Sequence, residues 1–186
     1  IATQVANLTN MDGTLYFSGH RSGEGGELWR SDGTSDGTML VKDILPGTSS
    51  SQPQLLTAVG ATLFLTAFDN TNGRELWRSD GTAAGTVLVK DILPGSQSSD
   101  PMALFDLNGL LLFTDRSSLP SEPVLWTSDG NAEATTAVNS TVVNDVRNYA
   151  QLGNTAIFAA TNSTVGREMF IFRIGDPPAA PVITGP

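Results

Sequence analysis

The sequence repeats itself with a period of about 48 residues. The octapeptide ELWRSDGT at 27–34 returns unchanged at 75–82, and GTMLVKDILPG from Gly37 returns as GTVLVKDILPG from Gly85. VLWTSDGN at 124–131 and REMFIF at 167–172 continue the series in diverged form. Self-similarity at a fixed period of 20–50 residues indicates a repeat architecture. We therefore predict four repeats, at approximately 1–48, 49–96, 97–144 and 145–175.

Each repeat is predicted to consist of short β-strands. The apolar runs LYF, LFL, LLF and AIF are bounded by Gly, Asn or Asp, and ELW is followed by Ser-Asp-Gly-Thr, a hairpin signal. The LVKDI segment ends at Pro-Gly, which cannot continue a ladder. A weaker strand opens each repeat, and no window shows helical periodicity. Four antiparallel strands in 40–50 residues are typical of a β-propeller blade.

The predicted fold class is therefore all-β, a β-propeller of about four four-stranded antiparallel blades. Alternation along the fourth strand places Val41, Asp43 and Leu45 on one face and Leu40, Lys42 and Ile44 on the other. Because both faces carry apolar side chains, each sheet needs neighbours to cover it. The fourth repeat has no copy of the LVKDI strand. A four-bladed ring, part of a larger ring, and a ring completed by another chain all remain open.

Composition excludes several classes of protein and site. The net charge is −9 and only two lysines occur, so no basic face for nucleic acid is expected. The absence of cysteine excludes disulfides, zinc-thiolate sites and thiol nucleophiles. The longest uncharged apolar stretch, 55–68, is too short for a transmembrane segment. The Pro-rich segment 176–186 is predicted to be a linker toward a further domain.

The segment GRELWRSDGTAAGTVLVKDILPG at 73–95 resembles the bacterial ELWxxDGT repeat family. The match is strong in repeats one and two. It is partial in repeat three, where Val124 replaces the glutamate, and in repeat four, where GREMF replaces GRELW. The resemblance covers about residues 1–175 and implies a large secreted or surface-attached bacterial protein with neighbouring immunoglobulin-like or cadherin-like domains. It implies an extracellular location and no established activity.

Charged and aromatic side chains recur at equal positions of the repeats. We interpret the charged ones as a hydrogen-bond or ion-pair framework, because buried charges need partners, with a repeated ligand site as the alternative. The aromatic ones are interpreted as fillers between blades, with a stacking platform for sugars as the alternative. The predicted framework residues are Glu27, Trp29, Arg30, Asp32, Lys42, Asp43, Glu75, Trp77, Arg78, Asp80, Lys90, Asp91, Trp126, Asp129, Glu168 and Phe170.

The aspartates of the SDG motifs are interpreted as turn residues, since Asp and the following Thr hydrogen-bond the local backbone. Calcium is the competing cofactor hypothesis, because Asp-rich loops and a negative chain suit a hard cation. Asp32 and Asp36 are the candidate ligands. No EF-hand or nonapeptide calcium motif occurs.

Ligand-binding residues are predicted in the loops that differ between repeats, 20–26 and 115–123. The candidates are His20, Arg21, Glu24, Asp115 and Arg116. His20 is the single histidine, so a multi-histidine metal site is excluded. No nucleophile-elbow, phosphate-loop or paired-carboxylate signature is present, and no catalytic residue is assigned.

The sequence thus predicts a non-enzymatic extracellular module that is structural or adhesive and binds a surface protein or glycan through its loops. One alternative is a carbohydrate-active or other hydrolytic enzyme with a site on the propeller axis. Another is a filament or matrix unit that self-associates. An axial cluster of acidic side chains would favour the enzyme, and a solution mass above the 19.5 kDa monomer would favour the filament.

Overall fold

The computed structural model describes residues 2–116, 124–142, 144–162 and 166–174. Within these residues the chain forms fifteen β-strands in four antiparallel sheets. No helix in the described part is long and apolar enough to cross a bilayer. The first sheet consists of β1 (Thr3–Met11), β2 (Thr14–Arg21), β3 (Gly25–Ser31) and β4 (Met39–Lys42). The second consists of β5 (Gln54–Val59), β6 (Thr62–Asp69), β7 (Gly73–Ser79) and β8 (Val87–Lys90).

The later repeats follow the same plan. The third sheet consists of β9 (Met102–Leu107), β10 (Leu110–Asp115), β11 (Val124–Ser128) and β12 (Thr136–Val142). The fourth has three strands, β13 (Asn144–Leu152), β14 (Thr155–Asn162) and β15 (Gly166–Arg173). In every sheet, strands adjacent in sequence are hydrogen-bonded neighbours. The all-β prediction of consecutive antiparallel sheets with the connectivity of propeller blades is confirmed.

The chain divides into two compact units, residues 1–100 and 101–186. In the first unit, the first and second sheets bury one shared apolar cluster between them. Its members are Met11, Tyr16, Leu28, Val41, Ile44, Leu56, Leu63, Leu65, Ala67 and Trp77. Each sheet therefore covers an apolar face of the other, which neither sheet could expose to water without a large loss of stability.

The second unit is built on the third and fourth sheets and has a more aromatic core. Its buried cluster combines leucine and valine side chains of the third sheet with Ala156, Phe158, Ala160 and Phe170 of the fourth. Tyr149 connects the aromatic series, because its ring stacks on Phe105 at 4.6 Å and contacts Phe158 at 5.2 Å. Phe158 in turn stacks on Phe170 at 5.8 Å.

A bulge recurs in the first strand of every sheet. Asn7, Leu55, Ala103 and Asn148 have φ angles of 54°, 54°, 54° and 55°, in the left-handed region. In β1, β5 and β13 the pairing with the neighbouring strand changes register around this residue. A bulge increases the local twist and bends the strand. Leucine and alanine adopt this conformation at a cost that asparagine largely avoids.

The predicted alternation along LVKDI is wrong beyond Lys42. β4 ends at Lys42, and both Ile44 and Leu45 are buried, at 6% and 7% exposure, although they are adjacent. The chain leaves the ladder there because the backbone N–H of Ile44 donates to the carboxylate of Glu27, at 2.8 Å, instead of to a neighbouring strand.

The link after ELWRS is also longer than the predicted Asp-Gly hairpin. Seven residues, 32–38, separate β3 from β4. Hydroxyl groups organise this connection, since Ser31 Oγ lies 2.6 Å from Thr38 Oγ1 and accepts from the N–H of Gly33. The second sheet has the same pattern, with Ser79 Oγ lying 2.7 Å from Thr86 Oγ1.

Candidate functional site

The repeated glutamates are buried and hold the connection between consecutive sheets. Glu27 on β3 has no exposed surface and accepts from the N–H groups of Ile44, at 2.8 Å, and Ser51, at 2.9 Å. The hydroxyl of Ser51 donates to the same carboxylate. Glu75 accepts from the corresponding groups of Ile92 and Ser99. These carboxylates therefore act on the backbone of this chain rather than on a ligand.

Burial changes the acidity of both glutamates. Desolvation raises the pKa of Glu27 above its usual value, while the hydrogen bonds from Ser51 partly oppose that rise. The same balance raises the pKa of Glu75 to about 7. In each sheet the nearby aspartate, Asp43 or Asp91, adds a smaller upward contribution by like-charge repulsion.

The third sheet carries its buried carboxylate on the opposite strand. In the second sheet Glu75 is paired across the ladder with Ala67, whereas in the third sheet Val124 is paired with Asp115. Asp115 has no exposed surface. Its assignment to a loop is wrong: it is the last residue of β10. The rest of the predicted loop 115–123, from residue 117 onward, lies outside the described residues.

The fourth sheet keeps the original arrangement, with Glu168 on β15 paired with Ala160 on β14. Glu168 is partly buried. An acidic side chain opposite a small or apolar residue is thus present at this cross-strand position in all four sheets.

Two basic framework residues of the first sheet reach the second sheet. The Nζ atom of Lys42 donates to the carbonyl oxygens of Ala83, at 3.2 Å, and Thr86, at 2.8 Å. Nη1 of Arg30 donates to the carbonyl of Gly81 at 3.1 Å. The predicted lattice between these sheets therefore consists of hydrogen bonds to carbonyl oxygens. Their counterparts Lys90 and Arg78 lie on β8 and β7, facing Leu76 and Val87 across the ladder.

The SDG aspartates bind the turn that they belong to. Oδ1 of Asp32 accepts from the N–H and the hydroxyl of Thr34, at 2.9 and 2.7 Å, and these bonds lower its pKa. Asp80 is held in the same way by Thr82, again with a lowered pKa. Asp129 accepts from the N–H of Asn131 at 2.8 Å.

Few features around Asp36 support a calcium site. Asp36 is exposed, and nowhere in the described ranges do three or more His, Asp or Glu side chains form a group able to hold a metal. One carboxylate oxygen of Asp32 is already used by Thr34. Calcium prefers six to eight oxygen ligands. Binding at this position stays a prediction.

The recurring aromatic residues lie inside the sheets. Trp29 and Phe170 are 1% and 0% exposed, and Trp77 is buried against the first sheet. Trp126 is partly buried and its ring lies 6.1 Å from that of Phe113. A stacking platform for sugars needs an exposed ring face. The buried rings of Trp29 and Trp77 therefore cannot serve as one.

The predicted loop 20–26 is shorter in the structure, since His20 and Arg21 are the last residues of β2 and only Glu24 of these candidates lies in the β2–β3 turn. Arg21 and Glu24 form an ion pair with each other, and the guanidinium of Arg21 lies 5.3 Å from the ring centre of Trp29. Both charges therefore interact with other side chains of this protein. Arg116 is exposed and follows β10 directly.

His20 differs from these residues because it lines a polar cavity, which we call the His20 cavity. Its volume is about 290 Å³ and it opens beside β1, β2 and the segment that joins the first two sheets. The lining consists of amide and hydroxyl side chains, glycines, one proline and His20. It comprises Gln4, Asn7, Ser18, Gly19, His20, Gly26, Ser50, Gln52, Pro53 and Gln54.

The amide side chains of this cavity are not among the residues predicted from the sequence. The sequence offers one signal for the cavity, a single difference between two otherwise identical segments, GGELWRSDG at 25–33 and GRELWRSDG at 73–81. Gly26 and Arg74 occupy the same ladder position, paired with His20 and Phe68 respectively. Because Gly26 has no side chain, part of the space at this ladder position stays open.

Arg74 occupies the corresponding place in the second sheet. Its Nη1 donates to the carbonyl of Gln52 at 2.9 Å and lies 3.4 Å from Thr66 Oγ1. Its Nη2 lies 3.4 Å from Gln52 Oε1. Burial lowers the pKa of this guanidinium, and the charge of Asp100 opposes the change.

Comparison with known proteins does not assign a family. No family model matches the chain, and no curated protein matches it. Among solved structures, it is similar to an endo-1,4-β-xylanase from Bacteroides thetaiotaomicron, at 14% identity and a TM-score of 0.42. That likeness covers 97% of this chain and 74% of the other. At this level it supports no inference about activity.

Proposed function

We propose that this chain is a non-enzymatic extracellular binding module and that the His20 cavity is its contact site. The observation that carries the proposal is the lining of the cavity. Hydrogen-bonding side chains surround a space of about 290 Å³ that remains open, while the equivalent space in the second sheet is occupied by Arg74. Binding sites are typically concave and contain a few convergent polar groups.

The sheets supply a rigid support for such a site. Gly26 is fixed by the bond from its N–H to Ser50 Oγ, at 2.9 Å, and by the bond from the N–H of Gln52 to its carbonyl, at 3.2 Å. Asn7 is held by the bond from its Nδ2 to the carbonyl of Pro53 at 3.1 Å. Side chains held in place by a surrounding framework lose little entropy on binding.

A binding role also agrees with how the acidic residues are used. The buried carboxylates of Glu27 and Glu75 accept backbone and hydroxyl hydrogen bonds, so they serve the framework. The lining of the His20 cavity includes no carboxylate to act as a general acid or nucleophile. The extracellular location rests on the resemblance to the repeat family.

The test combines binding and turnover on one defined panel of neutral oligosaccharides and short peptides. Binding is followed by NMR at the backbone amides of Gly26 and Gln52, and turnover by the release of reducing ends or amines. We expect saturable shifts at these amides with at least one member and no product. Product formation, or shifts confined to other regions, would contradict the proposal. Gly26→Arg, which fills the cavity, is the matched control.

A further inference from the structure

The His20 cavity and the site of Arg74 are the same place in two consecutive sheets. Gln4, Ser18 and Gly26 precede Gln52, Thr66 and Arg74 by one repeat each. The backbones agree as well, since the N–H of residue 26 donates to Ser50 Oγ at 2.9 Å and that of residue 74 to Ser98 Oγ at 2.8 Å.

The second sheet shows which chemical group fits this place. The guanidinium of Arg74 donates hydrogen bonds to neutral oxygens, namely the carbonyl and side-chain amide oxygens of Gln52 and the hydroxyl of Thr66. The first sheet offers the same types of acceptor at the same repeat positions, a glutamine at residue 4 and a hydroxyl at residue 18, and both line the cavity. The arginine itself is replaced by Gly26.

We propose that the His20 cavity binds the guanidinium group of an arginine supplied by a partner. This inference rests on the proposed function and names its ligand class. The incoming group would lie where the Arg74 side chain lies in the second sheet, with Gln4 and Ser18 as acceptors. A planar guanidinium has five N–H donors and suits several oxygen acceptors at once, whereas the ammonium of lysine is a compact point charge.

Charge favours the approach of such a ligand. The chain carries a net charge of −9, which raises the local concentration of cations at its surface. Two features limit the affinity. No carboxylate lines the cavity, and Gln52 stands where the second sheet has Asp100. Desolvating a cation without a counter-ion is costly, so binding is weak and depends on the rest of the partner.

The test titrates the intact chain with N-acetyl-arginine amide and follows the backbone amides of Gly26 and Gln52 by NMR. The matching citrulline and lysine derivatives serve as the neutral and the non-planar controls. We expect saturable shifts with arginine that are at least ~10-fold tighter than with either control, equivalent to about 1.4 kcal/mol. Equal binding of citrulline would indicate amide recognition, equal binding of lysine would indicate general attraction of cations, and either would overturn the proposal.

Two variants keep the result interpretable. Gly26→Arg places an arginine in the cavity from within, and it should abolish the arginine shifts without lowering the melting temperature. Adding a Cβ at residue 26 meets only Ser50 at ordinary contact distances of 3.4 and 3.5 Å. Arg74→Gly should open a second cavity, and the arginine derivative should then raise the melting temperature more than it does in the parent chain. If the arginine derivative does not raise the melting temperature of Arg74→Gly more than that of the parent chain, the two sheets do not share the same acceptor geometry.

The same measurements separate this inference from the proposed function. If an oligosaccharide binds the His20 cavity and arginine does not, the cavity is a binding site and the guanidinium assignment is wrong. If no panel member shifts Gly26 or Gln52 and Gly26→Arg changes nothing, both proposals fail. Free arginine against the N-acetyl amide distinguishes an amino acid ligand from an arginine within a peptide chain.

Discussion

The first and second sheets have the same framework but different surfaces. Glu27 and Glu75 make corresponding hydrogen bonds, with the N–H of Ser51 or Ser99 donating at 2.9 Å in both cases. Around this shared framework, one sheet has Gly26 and an open cavity where the other has Arg74 and a filled one. The buried carboxylate fixes the chain path, so one ladder position is free to differ between the sheets.

The same contrast extends to the neighbours of that position. His20, Asn7 and Ser18 around the cavity correspond to Phe68, Leu55 and Thr66 in the second sheet. Each replacement in the first sheet is smaller or more polar. The differences therefore lie together on one side of the framework, as expected if they serve one site.

The largest expected effect is the loss of a buried carboxylate. Glu75→Ala leaves the N–H groups of Ile92 and Ser99 without their acceptor, and we expect a loss of about 3 kcal/mol in the free energy of unfolding. Glu27→Ala should cost a similar amount, because its contacts are equivalent. Urea denaturation measures both. If one variant loses less than about half as much stability as the other, the two frameworks are not equivalent.

The next effect is a pH dependence that separates Glu75 from exposed acids. Its folded pKa of about 7 lies above the ordinary value of 4.5, so the folded state binds the proton more tightly than the unfolded state does. Stability should therefore fall as pH rises from about 4.5 to about 7 and level off above. The change is on the order of 3 kcal/mol, since one pKa unit corresponds to about 1.4 kcal/mol.

Glu75→Gln should remove the contribution of Glu75 to this slope, because the amide cannot ionise, while the raised pKa of Glu27 leaves a slope of the same sign. The exposed Glu133→Gln is the matched control and should leave the slope unchanged. The readout is the urea midpoint across the pH series. An unchanged slope in Glu75→Gln would assign the dependence to other groups.

A smaller effect is expected at the contact between the two sheets. Lys42→Met keeps the aliphatic stem but loses the bonds to the carbonyls of Ala83 and Thr86, and we expect a loss of about 1 kcal/mol. The partly exposed position keeps the value low. Thermal unfolding at constant pH is the measurement. A neutral result would mean that the apolar cluster alone holds the two sheets together.

The smallest effect is expected at the bulge. Leu55 and Asn7 have the same φ of 54°, and Leu55 is 42% exposed, so Leu55→Asn should raise stability by about 0.5–1 kcal/mol. Asn7→Leu should lower it, partly through the lost bond to Pro53. Opposite signs in the melting temperatures are expected. Equal signs would show that the backbone conformation is not what distinguishes the two residues.

Sequence alone predicted the repeating sheets because a fixed period and short apolar runs are local signals. It did not predict that β4 ends at Lys42, since the cause is a hydrogen bond to Glu27 from a distant position in the sequence. The sequence predicts a loop at Asp115 because no single repeat shows that a carboxylate can move from β11 to the opposite strand β10. The sequence indicates His20 as a candidate, but the glutamines beside it carry no recognisable motif.

The repeat unit, its strands and its recurring glutamates, tryptophans and SDG turns were determined by the sequence, because each is written in adjacent residues and copied at a constant spacing. Only the tertiary structure decided what those copies contact. The carboxylates accept hydrogen bonds from the backbone that connects the sheets. Glycine at residue 26, where the second sheet has Arg74, leaves a cavity because residues from three separate segments surround that position. Contacts between distant segments depend on how sheets pack, and that information is not contained in any one repeat.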